Sequence, residues 1–210
     1  MLTLALVNSV RGSINPHYRD QAVSDLAWLM RAPLIHQGID MQQWWQSDVE
    51  QQLALLDNDP APLQHALAAC KSHFLGSYFE VLFSYAVRHL SRLTILMEHE
   101  QIIHEGKTLG EVDMLVQAPD GKLHQFEIAI KFYLRTQTGV TEEWLGPNKN
   151  DSLTKKRQRA LTHQLRILQT QAGQSALQRV TDGSSIQSGL LIYGVLLECY
   201  SPASFSADYN

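Results

Sequence analysis

Two carboxylates and a lysine have the residue types of a metal-assisted hydrolytic site. Asp113 lies in one segment of alternating hydrophobicity, Glu127 lies in the next, and Lys131 follows four residues later. A carboxylate that leaves water is costly unless it is paired or binds a cation. Mg²⁺ takes oxygen ligands, and a lysine beside it can orient the attacking water or stabilise charge that develops on a phosphate. The pattern therefore predicts a divalent-cation site.

The same residues have a second interpretation, which the spacing leaves open. An exposed hairpin face often carries cross-strand ion pairs, which contribute only about 0 to 1 kcal/mol each. Glu111 points the same way as Asp113, because two residues are one full period of a strand, and it is either a supporting carboxylate or a charge at the strand entrance. Three nearby histidines lack ligand spacing and are predicted at the surface: His99, His104 and His124.

The hydrophobic period predicts the elements that carry these residues. Alternation over 110–117 and 123–133, on either side of Pro119-Asp120-Gly121, is typical of a β-hairpin. Apolar residues at helical spacing predict a helix over 74–90, and Glu80 lies on the flank of its apolar face. The candidate site therefore lies on a hairpin with a helix beside it.

The remaining segments predict an α/β protein. The pattern is helical from Arg19 to about Leu75, and 94–97 is either a short strand or a connector. A helix is predicted from Ser152 to about Gln171, followed by a turn rich in Gly, Ser and Gln. The continuous apolar run over 190–197 is typical of a buried strand.

Composition limits the class of protein. Of 210 residues, 44% are hydrophobic and 18% are charged, which suits a folded core and excludes a disordered chain. The net charge of −4 excludes a general polycation, so any nucleic-acid contact must use a local patch. No apolar run has the length of a membrane span, and no signal peptide is evident. We therefore expect a soluble, cytoplasmic protein without a membrane partner.

Several short motifs resemble a known group of enzymes. The run Gly110-Glu111-Val112-Asp113, a turn, and Glu127 with a lysine downstream resemble the PD-(D/E)XK nuclease superfamily. The fold of that superfamily, called restriction-endonuclease-like, is a helix, a β-hairpin, a third strand, a helix and a fourth strand. The runs over 75–80, 127–134 and 145–148 are similar to a bacterial family of unknown function that is assigned to this superfamily.

The resemblance implies a fold, a reaction and a cofactor. It implies a restriction-endonuclease-like core over 73–210 with an N-terminal helical extension over 1–72. It also implies hydrolysis of phosphodiester bonds in DNA or RNA with Mg²⁺ or Mn²⁺. Asp113 and Glu127 would hold the metal, with Glu80 as a third carboxylate, and Lys131 would position or activate the attacking water.

One departure from the superfamily pattern supports a different class of function. The usual lysine lies two residues after the glutamate, where this chain has Ala129, and Lys131 lies about 6 to 7 Å further along the strand. The alternative is therefore a catalytically inactive module of the same fold that binds nucleic acid or a protein partner. Self-association into a homo-oligomer is left open.

The helix predicted from Ser152 supplies the candidate nucleic-acid contacts. Its basic side could meet phosphates, each contact adding a salt-dependent contribution to affinity, or it could be a solvated face. Gln164 falls within the opposite, apolar face, which Leu161, Leu165 and Leu168 define. The resemblance implies that this helix lines the site. The residues predicted to bind nucleic acid are Lys155, Lys156, Arg159 and Gln164.

Overall fold

The computed structural model describes residues 18–36, 38–70, 72, 74–138, 141–148, 150–182 and 185–198. The helices α1 to α6 comprise Gln21–Arg31, Val49–Asn58, Ala61–Ala68, Leu75–Leu90, Leu153–Thr162 and Gln171–Leu177. Two 3₁₀ helices cover Met41–Trp44 and Gln164–Gln169. The strands β1 to β5 comprise Thr94–His104, Lys107–Gln117, Leu123–Thr138, Thr141–Leu145 and Ile186–Leu197. The α/β prediction is therefore confirmed.

The five strands form one mixed sheet. Strands β1, β2, β3 and β4 pair antiparallel in that order, and β5 runs parallel to β3 along most of its length. The predicted hairpin of β2 and β3 is present, with pairs from Gln117 opposite Leu123 to Met114 opposite Phe126. Strand β3 is therefore the centre of the sheet, and it carries Glu127.

Strand β1 is longer than the sequence pattern predicts. The segment over 94–97 begins a strand that continues to His104 and turns back through Glu105 and Gly106. Both turn residues have positive φ, 49° and 76°, as the tight type I′ hairpin turn requires. The result is a meander of three strands that begins directly after α4.

The N-terminal helices share a core with the sheet. Side chains of α1, α2 and α3 pack in one apolar cluster with α4, β2, β3 and β5. Trp44 and Trp45 are buried in this cluster, and the Trp45 indole donates a hydrogen bond to the Met30 carbonyl. Helices α1 to α4 therefore cover one face of the sheet, and α4 lies against β1 and β3. None of the helices within the described ranges combines the length and apolarity of a membrane span.

The helix after Ser152 is shorter than predicted. Helix α5 ends at Thr162, the backbone of His163 is not helical, and the 3₁₀ helix and α6 occupy the residues that follow. The predicted turn after Gln171 is therefore wrong, because α6 begins there. Leu161 is 47% exposed, so the predicted apolar face is also wrong at this position, although Leu165 and Leu168 are buried. This rearrangement turns the apolar residues of the 3₁₀ helix onto the sheet.

Candidate carboxylate site

Strands β2 and β3 separate at the candidate site, and a side chain bridges the gap. Their last backbone pair is Met114 opposite Phe126, so Asp113 and Glu127 are the next residues in register. Asp113 Oδ2 accepts a hydrogen bond from the Ile128 backbone N–H at 2.9 Å. The carboxylate therefore accepts the hydrogen bond that a neighbouring strand would otherwise accept from the Ile128 N–H, a donor that is costly to leave unpaired. This bond fixes the Asp113 carboxylate beside β3.

Glu127 is a buried acid with a lysine partner from α5. The residue is 3% exposed, and Lys156 Nζ lies 2.7 Å from its Oε1. The Lys156 side chain is itself only 15% exposed. A buried carboxylate requires such a partner, because removing one member of a buried ion pair leaves an uncompensated charge. The lysine that the sequence predicts as a phosphate contact thus points into the carboxylate site.

Burial and mutual repulsion perturb the acids of this site. Burial, followed by the charge of Asp113, raises the pKa of Glu127 to about 7, although Lys156 opposes the shift. Burial also raises the pKa of Asp113 against the opposing Ile128 N–H bond. Glu80 on α4 has a pKa raised by burial, and its charge interacts with those of Asp113 and Lys156. The charges of four side chains therefore influence one another here: Glu80, Asp113, Glu127 and Lys156. Groups of acids with raised pKa values are often found at functional sites.

Lys131 pairs with a different acid. Its Nζ lies 2.7 Å from Asp151 Oδ2, and both side chains are about one third exposed. Four residues of strand separate it from Glu127, which corresponds to about 13 Å along β3. That Lys131 positions or activates the water stays a prediction, while the lysine beside Glu127 is Lys156.

The predicted nucleic-acid residues fall in two environments. Lys155 and Arg159 are exposed on α5, before and after the half-buried Lys156. Gln164 lies in the 3₁₀ helix, where its side-chain oxygen is buried without a hydrogen-bond partner. Its backbone carbonyl accepts a hydrogen bond from Gln125 Nε2 at 3.1 Å. Contact between Gln164 and nucleic acid stays a prediction, whereas Lys155 and Arg159 are accessible to a polyanion.

Two of the three nearby histidines have specific surroundings. His124 is 5% exposed and packs edge-on against Trp44 with ring centroids 4.7 Å apart, so its predicted surface position is wrong. Its place as the second residue of β3, the central strand, explains this burial. His99 is exposed, as predicted, but its Nδ1 lies 3.1 Å from Glu111 Oε1, and its charge interacts with Glu80. Lone histidines give no signal of this kind in the sequence.

The donor chemistry of the site suits a hard cation. In the part of the chain that the structure describes, no three histidine, cysteine or acidic side chains converge as a complete metal site. Mg²⁺ does not need such a cage, because it is commonly held by one or two carboxylates together with waters and substrate phosphates. Asp113 and Glu127, adjacent and rich in oxygen donors, fit this mode of binding.

Comparison with known proteins identifies a family. The model of a domain of unknown function, DUF1853, matches residues 24–207. Comparison with curated proteins found no match, and comparison with solved structures found none. The matched region begins within α1, ends beyond β5 and includes every residue of the carboxylate site. The chain therefore belongs to the DUF1853 family, a domain of unknown function.

Proposed function

We propose that this protein is a metal-dependent nuclease that hydrolyses phosphodiester bonds in DNA or RNA. The observation that carries the proposal is the pair of the half-buried Asp113 and the buried Glu127, with Lys156 at 2.7 Å from Glu127. Placing two acids side by side where they lose much of their contact with water opposes folding, and a ligand that binds both would offset this cost. A divalent cation is such a ligand, because its two positive charges would balance the negative charges of the two carboxylates.

The order of elements supports the same proposal. Apart from β4, the second 3₁₀ helix and α6, which are inserted between them, helix α4, the meander of β1, β2 and β3, helix α5 and strand β5 come in the order of a restriction-endonuclease-like core. Asp113 lies on the second of these strands and Glu127 on the third, at the point where the two separate. The carboxylates therefore lie where the backbone pairing of β2 and β3 ends.

Each residue has a role that follows from its position. Asp113 and Glu127 would hold Mg²⁺ or Mn²⁺, which when bound would polarise the phosphate and the attacking water. Glu80 would bind the cation through water. Lys156, and not Lys131, would stabilise the charge that develops on the phosphate, because its ammonium group is the one beside Glu127.

The substrate would approach along the exposed face of α5. Lys155 and Arg159 are exposed there, one helical turn apart and close in sequence to the half-buried Lys156. The protein as a whole is acidic, so this local patch would supply the attraction for the phosphate backbone. Phosphate contacts of this kind are independent of base identity, which is consistent with either DNA or RNA.

One observation favours a second candidate function. Lys156 already compensates the charge of Glu127, and Lys131 is engaged by Asp151. A site whose acid is satisfied by a lysine does not require a metal. The second candidate is therefore a catalytically inactive module of this fold that binds nucleic acid or a protein partner.

A cleavage assay separates the two candidates. End-labelled DNA and RNA, single- and double-stranded, would be incubated with Mg²⁺ or Mn²⁺ and the wild type, Asp113→Asn, Lys156→Met or Lys131→Met. We expect metal-dependent cleavage by the wild type and Lys131→Met, and losses of about 100-fold or more in the other two variants. Cleavage that is lost in Lys131→Met and kept in Lys156→Met would contradict the role of Lys156. A folded wild type that binds these substrates without cutting them would favour the inactive module.

A further inference from the structure

The backbone of β1 is strained beside the carboxylate site. His99 has φ of +50°, a conformation that residues other than glycine rarely adopt within a strand. The flanking pairs, Glu98 with Met114 and Glu100 with Val112, place His99 opposite Asp113 in register. Strained residues of this type cluster at functional sites, where the surrounding structure holds them in place.

The neighbours of His99 fix which of its nitrogens is available. Nδ1 lies 3.1 Å from Glu111 Oε1, and a neutral ring that donates its Nδ1–H to this carboxylate keeps a lone pair on Nε2. Glu111 lies on the same strand face as Asp113, and the charge of Glu80 on α4 interacts with both His99 and Asp113. His99 thus reaches the carboxylate face from β1, while Lys156 reaches it from α5.

We propose that His99, oriented by Glu111, is the general base of the reaction; the inference rests on the proposed nuclease function. Nε2 takes a proton from the attacking water as the water oxygen bonds to phosphorus. The bond from phosphorus to the leaving oxygen breaks, that oxygen takes a proton from solvent, and the imidazolium later returns its proton to solvent. Glu111 stabilises the imidazolium, as an acid behind a catalytic histidine does.

The test is a kinetic comparison of variants with chemical rescue. His99→Gly accepts the positive φ and leaves space for free imidazole, and His99→Asn, which also tolerates this backbone, is a second variant. His104→Gln, at an exposed histidine on the same strand, is the matched control. We expect His99→Gly to lower kcat about 100-fold or more, with KM and Mn²⁺ affinity unchanged, and imidazole in solution to restore activity.

Each other result overturns the inference. A kcat equal to that of the wild type in His99→Gly and His99→Asn would show that His99 is not the base. A loss that imidazole does not restore would assign the residue a structural role. In either case the nuclease proposal survives if the wild type cleaves and Asp113→Asn does not. A wild type without cleavage would overturn both proposals together.

Discussion

Replacing Glu127 by glutamine removes a carboxyl group whose pKa is strongly raised in the folded protein. The pKa of this carboxyl is about 7 in the folded protein against a usual value of 4.5. Between these values the folded state retains a proton that the unfolded chain has released. The free energy of unfolding therefore falls as pH rises through this window, because the folded state binds more protons there.

The size of the effect follows from the same two values. A difference between 4.5 and about 7 corresponds to about 3 kcal/mol, at about 1.4 kcal/mol per pKa unit. The burial that causes it is nearly complete, since Glu127 is 3% exposed, so solvent screening does not reduce it. In the wild type this group lowers the free energy of unfolding by about 3 kcal/mol between the low and the high end of this pH window. Glutamine does not titrate, so we expect this contribution to be absent in Glu127→Gln.

Urea unfolding followed by circular dichroism would measure this difference. Wild type, Glu127→Gln and the control Glu105→Gln, at an exposed turn residue, would be compared from about pH 5 to about pH 8 at constant ionic strength. We expect a flatter pH profile in Glu127→Gln only. Equal slopes in the wild type and Glu127→Gln would refute the burial of an acid with a raised pKa at this position.

Two further predictions concern the surface of α5 and the packing of β5. Replacing Lys155 and Arg159 by alanine is expected to weaken oligonucleotide binding, measured by fluorescence anisotropy. The slope of log affinity against log salt concentration should become shallower by about 0.7 to 0.9 for each phosphate contact that is lost. An unchanged slope would exclude these contacts. Gly194→Ala is expected to destabilise the fold by more than about 2 kcal/mol in urea unfolding, because φ is +128° and a Cβ would lie 1.8 Å from the Lys131 carbonyl oxygen. An unaffected midpoint would show that β3 and β5 are not so close.

The sequence predicts those parts of the fold that depend on local patterns. Alternation identifies β2 and β3, and Pro119-Asp120-Gly121 identifies the turn between them. Strand β1 is underestimated, although Glu105-Gly106 is a turn signal that could have extended it to His104. The end of α5 at Thr162 has no local signal, since neither Gly nor Pro follows. The 3₁₀ helix forms there because its apolar residues pack on the sheet, which is a tertiary effect.

The candidate site divides in the same way. Asp113 and Glu127 could be paired from the sequence, because strand register follows from the hairpin turn. Lys156 could not, because helix periodicity assigns it to a basic stripe, and its contact with Glu127 joins residues 29 positions apart. Lys131 lies on the expected strand, but only the loop before α5 determines that its partner is Asp151. The partner of a long side chain depends on distances between separate elements of the fold, and the periodicity of a strand or helix does not give those distances.

Calorimetric titration with Mn²⁺ tests the central claim most directly. The wild type, Asp113→Asn and the control Asp120→Asn, at an exposed hairpin turn, would be titrated at a pH above the raised pKa of Glu127, where both acids are free of protons. We predict one bound ion in the wild type and the control, and loss of binding in folded Asp113→Asn. A folded wild type that binds no Mn²⁺ at millimolar concentration, or an Asp113→Asn variant that binds it unchanged, would contradict the proposal that this carboxylate pair is a metal site.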